Sequence, residues 1–172
     1  MTRSHTILLA AFILITGVFS FAPSAFAQTA TETISLIRQD CTGYTSCYTS
    51  LSAWEAARQR DLVAANQIEV ARIEGTWTNA DTAMVSIDGW TTDATRYIRI
   101  YTAPEARHAG VWEDTKYRLQ RTSSGFSLLN INEENVRIDG LQFINTGTQD
   151  KSKALNVKSV GVSDVRISNN IV

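Results

Sequence analysis

Histidine is nearly absent from this sequence. Of 172 residues only His5 and His108 carry an imidazole, and His5 lies in an N-terminal segment that reads as an export signal. Sites that need two histidines, such as the HExxH zinc motif, are therefore excluded from the rest of the chain. Neither sign of charge predominates, with 16 basic against 17 acidic side chains and a formal net charge of −1. Removal of residues 1–27 takes Arg3 but no acid, leaving −2 (15 − 17). A balance of that kind argues against nucleic acid or an anionic lipid surface as a partner. Hydrophobic residues make up 44% and charged residues 19%, which excludes a disordered or collagen-like chain. The 145 residues beyond position 27 (172 less 27) suffice for one domain with a core and are too few for two.

The N-terminal segment carries an address. Arg3 precedes the apolar run ILLAAFILITGVFSF at 7–21, and the small-residue site Ala25-Phe26-Ala27 follows, which predicts cleavage before Gln28. A membrane anchor is the competing reading. The run is short for a bilayer span and ends near Pro23, so no stable span is expected once the signal is removed, and the mature protein is expected outside the cytoplasm, secreted or at the cell surface. Only two cysteines are present, Cys41 and Cys47, on the short loop DCTGYTSC. In an oxidising compartment they are expected to form a disulfide, because two thiols without histidine partners make a poor metal site.

Residues 28–47 read as a polar, threonine-rich lead-in, with Ile34, Leu36 and Ile37 its only apolar rhythm. A single amphipathic helix is predicted within 48–64, running from about Leu51 to Leu62. Ser52 and Glu55 have capping-box spacing, and Leu51 and Ala56 stand where a hydrophobic staple would lie. Leu51, Trp54, Ala57 and Leu62 are expected to face an apolar partner, with Arg58, Arg60 and Asp61 left for water. From 65 to 172 the texture changes to short β runs. Examples are Ile68-Glu69-Val70, Met84-Val85-Ser86-Ile87, Tyr97-Ile98-Arg99-Ile100 and Phe126 to Ile131, then Val136-Arg137-Ile138, Leu155-Asn156-Val157 and Val165-Arg166-Ile167. No helix-length segment separates them, so a doubly wound α/β fold is not expected. A sandwich, a barrel or a β-solenoid remains.

Internal repetition chooses among these. NVRIDGLQF at 135–143 aligns with DVRISNNIV at 164–172 at an offset of 29, and Tyr97-Ile98-Arg99-Ile100 carries the same core 38 residues before the first. Ile-Asp-Gly occurs at 87–89 and at 138–140, a separation that suits two coils of roughly 25 residues. Irregular periods with short strands are what stacked coils produce, because an insertion bulges outward without disturbing its neighbours. In such a stack the aliphatic residues of each triplet point inward and the arginine outward.

The stretch YTSLSAWEAA at 48–57, followed by NVRIDGLQFIN and DVRISNNIV, resembles the opening of secreted bacterial right-handed parallel β-helix proteins of the pectate-lyase-like superfamily. The resemblance covers most of residues 44–172 and is specific for architecture. It implies an all-β fold, a right-handed parallel β-helix (β-solenoid) with an N-terminal amphipathic helix covering its open end, and polar side chains such as Asn145, Asn169 and Asn170 stacked at coil corners. The family's enzymes cleave acidic polysaccharides by β-elimination or hydrolyse glycosidic bonds, often with calcium. None of their catalytic motifs can be placed on this sequence, so no catalytic residue and no metal ligand is assigned. The sequence stops within a strand-like run after about four or five coils, which reads as the N-terminal piece of a longer protein, truncated at its C-terminus.

The candidate sites each have a plainer alternative. Arg99, Arg137 and Arg166 would form an outward ladder spaced by roughly 4.8 Å, suited to the carboxylates of an acidic polysaccharide. Acids alternating with the ladder are the plainer outcome. Asp88 and Asp139 could bind calcium, although Asp-Gly is a common turn dipeptide and turns are preferred. Glu133 and Glu134 read as solvated turn carboxylates. Trp77, Trp90 and Trp112 are either sugar platforms or buried wedges, and His108 lacks an evident partner for base catalysis. The leading expectation is a non-catalytic carbohydrate-binding or cell-surface structural module. A polysaccharide lyase or glycoside hydrolase with catalytic coils beyond Val172, and an adhesin or surface-display stalk, are the alternatives.

Overall fold

The structure, a computed structural model, describes residues 28–122, 125–148, 153–158 and 164–172. The export-signal expectation for residues 1–27 lies outside the described residues. The chain is mostly β, and every described strand pair is parallel. The strands are β1 (Thr31–Ile37), β2 (Cys47–Tyr48), β3 (Gln67–Ile73), β4 (Val85–Ile87), β5 (Ile98–Thr102) and β6 (Leu119–Arg121), then β7 (Ser127–Ile131), β8 (Asn135–Asp139), β9 (Phe143–Asn145), β10 (Lys153–Val157) and β11 (Asp164–Ser168). Two helices, α1 (Leu51–Arg58) and α2 (Leu62–Ala65), lie between β2 and β3.

Three sheets receive these strands in rotation. The six-stranded sheet has the order β11-β8-β5-β3-β1-β2, the three-stranded sheet β10-β7-β4, and the two-stranded sheet β6-β9. From β5 the chain passes to β6, then to β7, and returns to the first sheet at β8; from β8 it repeats the tour through β9 and β10 to β11. Parallel single bridges from Asp81 to Leu119 and from Gln142 to Ile171 extend the smallest sheet in both directions. The repeats found in the sequence are the register of the six-stranded sheet: Arg166 stands opposite Arg137 and Arg137 opposite Arg99, offsets of 29 and 38 (166 − 137 and 137 − 99). The two Ile-Asp-Gly triplets are not equivalent. Ile87 closes β4 in the three-stranded sheet, whereas Ile138 lies in β8 of the six-stranded one.

Period-two alternation sorts the faces. Ile98, Ile100, Val136 and Ile138 are fully buried, and between them Arg99 and Arg137 emerge on the opposite face, each partly exposed. Val85, Ile87, Leu129 and Ile131 of the three-stranded sheet and Leu119 and Phe143 of the smallest sheet join them in one apolar cluster. The strand β1 was not legible as one: residues 28–47 read as a polar lead-in, yet β1 pairs with β3 over seven residues. Thr31, Glu32 and Ile34 are its exposed positions, and only Ser35 and Ile37 are buried.

The helical region is built differently from the expectation. Ser50, not Ser52, is the N-cap, and its side chain accepts the amide of Ala53 at 3.0 Å; such a cap contributes about 1 kcal/mol. The buried carboxylate of Asp81 accepts a second amide of that first turn, from Leu51, at 3.0 Å. The helix ends at Arg58, and a second cap, Asp61, starts the single turn of α2. Leu51, Trp54 and Leu62 face the core as expected, but Ala57 is exposed and Glu55 is buried in its place. Arg58 and Arg60 are not left for water. Both reach the carboxylate of Glu69, which lies on the inward side of β3 with no exposure. The helix packs beside β4, the edge strand of the three-stranded sheet, and buries Trp54 against Trp90, ring centroids 5.8 Å apart. The disulfide Cys41–Cys47 is present and closes the loop that leads from β1 to β2.

Candidate functional site

The outward face of the six-stranded sheet collects the side chains singled out in the sequence. Because Arg99, Arg137 and Arg166 share one register on three adjacent parallel strands, their guanidiniums rise in a single column at the strand spacing, roughly 4.8 Å. Bare cations at that spacing would repel, and the neighbouring columns supply what separates them. Asp164 accepts a bidentate pair from Arg166 at 2.7 and 2.9 Å and stands 3.7 Å from Arg137. Arg99 lies 3.5 Å from Glu32. Two tyrosines complete the face: the Arg137 guanidinium lies 3.4 Å from the centroid of the Tyr97 ring, and that of Arg99 lies 4.5 Å from the Tyr101 ring. Acids therefore flank the ladder, and three cations against two carboxylates leave one net positive charge on this part of the sheet.

The acid of this face stays ionised. Hydrogen bonds from Arg166 hold the Asp164 carboxyl below its ordinary pKa against a weaker opposing effect of burial, with the charges of Arg166 and Arg137 adding to them. Asp139, one column away, is pulled upward by burial, yet hydrogen bonds from Asn169, Arg107 and Ser168 outweigh that pull and keep its pKa low. Its bidentate contact with Arg107, at 2.7 and 3.2 Å, makes it a structural tie between the long β5–β6 connection and the sheet. Asp88 occupies the turn expected of it, its side chain accepting the amide of Gly89.

The remaining candidates are spent on packing. Glu133 is buried, not solvated, and accepts the Trp90 amide at 2.7 Å; burial raises its pKa. Trp77 and Trp90 are buried wedges, while Trp112 is half-buried and donates its indole N–H to Asp114. His108 accepts the Gly110 amide at Nδ1, which leaves Nε2 as the donor to the carbonyl of Asn169. Asn170 bridges Leu141 N and Ile138 O, and Asn145 donates to the carbonyls of Phe126 and Lys153, so both corner asparagines tie neighbouring segments together. Asn169 adopts a left-handed backbone at φ 52° and donates to Asp139.

Comparison with protein-family models, with curated proteins and with solved structures finds no match. The chemistry of the face must be read from its own residues. Among the described residues no group of three His, Cys, Asp or Glu side chains is gathered where a metal ion would be held. No described helix is long and apolar enough to cross a membrane. Two acids with raised pKa values, Asp81 and Glu133, are committed to backbone amides in the interior. Sequence reasoning missed the interior polar residues Glu55, Glu69 and Gln142. A signal existed for one of them, because Glu69 shares the phase of Ala71 and Ile73 in β3 and so had to point inward.

Proposed function

We propose that this protein is an exported, non-catalytic binding module whose six-stranded sheet presents its outward face to an acidic polysaccharide. The single observation behind this reading is the arginine column at one register on β5, β8 and β11, flanked by Tyr97 and Tyr101. A planar guanidinium recognises a carboxylate with two parallel hydrogen bonds, and an extended chain of uronic acids offers carboxylates in series along the column. The tyrosine rings orient the guanidiniums and add apolar area for sugar C–H faces. Asp164 and Glu32 keep the unliganded column from repelling itself, and an incoming carboxylate competes for the same donors.

Behind this face stands a right-handed β-solenoid, in which the three sheets are sides of one stack and α1 covers its first coil. The support is the rotation of the chain through three parallel sheets, together with the steric preference of parallel crossover connections for the right hand. The resemblance to the pectate-lyase-like superfamily belongs to the same reading, and the disulfide is compatible with a place outside the cytoplasm.

Titration of the protein with polygalacturonate tests the function. Replacing Arg99, Arg137 and Arg166 together by glutamine should weaken binding at least tenfold and flatten its salt dependence. Undiminished binding by that variant, or none by the wild-type protein, refutes the reading. Release of unsaturated oligosaccharides, read by ultraviolet absorbance, would make the protein an enzyme instead.

A further inference from the structure

The three-stranded sheet carries a groove that the arginine face does not use. It has a volume of about 370 Å³ and is lined by Phe126, Asn130, Lys153, Asn156 and Lys158 among others. Asn130 and Asn156 stand opposite each other on β7 and β10, and the Nδ2 of Asn156 donates to the Oδ1 of Asn130 at 3.0 Å. Among the described residues that bond leaves the amide of Asn130, Nδ2, and the carbonyl of Asn156, Oδ1, without a partner on adjacent strands. Lys153 and Lys158 bracket the same strand, roughly 16 Å apart at about 3.3 Å per residue, and both are exposed. Neither makes an ion pair among the described residues, in contrast to the three arginines of the other face. Phe126, directly before β7, stands 61% exposed beside them.

We infer that this groove is a second binding site, for a short oligomer of acidic sugars. Each feature answers one part of such a ligand. An adjacent donor and acceptor match a vicinal diol, which both donates and accepts. Two unpaired ammonium groups at the ends of the groove match carboxylates on separate residues of the oligomer. The exposed phenyl ring accepts the apolar face of a pyranose. A bare anion would use the lysines alone and leave the amide pair and the ring without a function. The two faces differ in kind: the arginine column is already neutralised in large part by acids of its own, whereas the two cations of the groove pair with no acid among the described residues.

The test is calorimetric titration of the protein with trigalacturonate, with neutral maltotriose and with inorganic phosphate. The double variant Lys153→Gln/Lys158→Gln should bind trigalacturonate at least tenfold more weakly while the triple arginine variant retains most of its affinity for this short ligand. The reverse pattern overturns the groove and leaves the arginine face standing. Loss in both variants alike, or in neither, also overturns the groove as a separate site. Phosphate binding as tight as trigalacturonate binding would reduce it to a bare-anion site and overturn the sugar assignment. Should the lysine variant not fold, as judged by far-ultraviolet circular dichroism, the side-chain amide resonances of Asn130 and Asn156 in the wild-type protein decide. They should move on addition of trigalacturonate and stay still with maltotriose; no movement overturns the inference.

Discussion

Replacing Glu69 by alanine should cost this protein a large part of its stability. The carboxylate has no exposed surface and receives five hydrogen bonds: Ser35 Oγ at 3.2 Å, Trp54 Nε1 at 3.3 Å, Arg58 at 2.9 and 3.1 Å, and Arg60 at 2.5 Å. It thereby joins β1, α1 and the turn before α2 to β3, and removal orphans donors in all of them. The two guanidiniums, about a quarter exposed, would be left without a counter-charge beside the core. Breaking a buried pair on one side costs about 3–5 kcal/mol, because an uncompensated charge remains. At a urea m-value of about 2 kcal/mol/M the midpoint should fall by roughly 2 M. Equilibrium urea unfolding followed by tryptophan fluorescence measures this, and Trp54 reports locally. The conservative change Glu69→Gln, which keeps an acceptor, should cost less. Removing all the charges together, as Glu69→Leu with Arg58→Met and Arg60→Met, should recover most of the loss, since apolar residues of similar volume commonly replace buried ion pairs without penalty. A midpoint shift below about 0.5 M for Glu69→Ala would show that the arginines find water easily and that the clamp does not hold the helix.

Other consequences can be checked alongside. Trp54→Ala removes a fully buried ring that packs on Trp90, and unfolding should show a loss of about 3–5 kcal/mol. Exchanging Cys41 and Cys47 for serine opens a ring whose half-cystines are 6 positions apart, and should lower stability by about 2 kcal/mol with little change in far-ultraviolet circular dichroism. The Asp93 carboxyl should titrate at about 2 in side-chain NMR: burial pulls it upward, and side-chain and backbone hydrogen bonds from Thr95 and then Arg96 together outweigh that pull. Its folded pKa thus lies below the ordinary aspartate value of 3.8, so the stability it adds is present above about pH 4 and is lost as pH falls toward about 2. The group is more than a third exposed, and solvent screening should keep that contribution under about 1 kcal/mol. A titration midpoint near 4 would show that the Asp93–Arg96 turn is not formed in solution.

The amino-acid order alone already contained the parallel register of β5, β8 and β11. Aliphatic–Arg–Ile triplets recur at the offsets the strands adopt, because residues that share a position in a stacked strand face the same neighbours and meet the same demand. The disulfide loop and the inward aliphatic residues were legible for the same local reason. Tertiary structure decided the rest. β1 hides its strand identity, since only Ser35 and Ile37 of its seven residues are buried and β3, the partner it pairs with along its whole length, lies beyond two helices. The two Ile-Asp-Gly triplets look alike but fall in different sheets, because a turn dipeptide is set by local backbone geometry and carries no information on which sheet it follows. Strand phase turned Glu69 inward, but which side chains meet it there was beyond local pattern. Glu69, Arg58 and Arg60 come together only when α1 folds over the first strands, and Lys153 meets Ser127 across the sheet only because β10 stacks in parallel on β7. Side-chain partners separated by tens of residues are chosen by packing, and packing is a property of the folded chain.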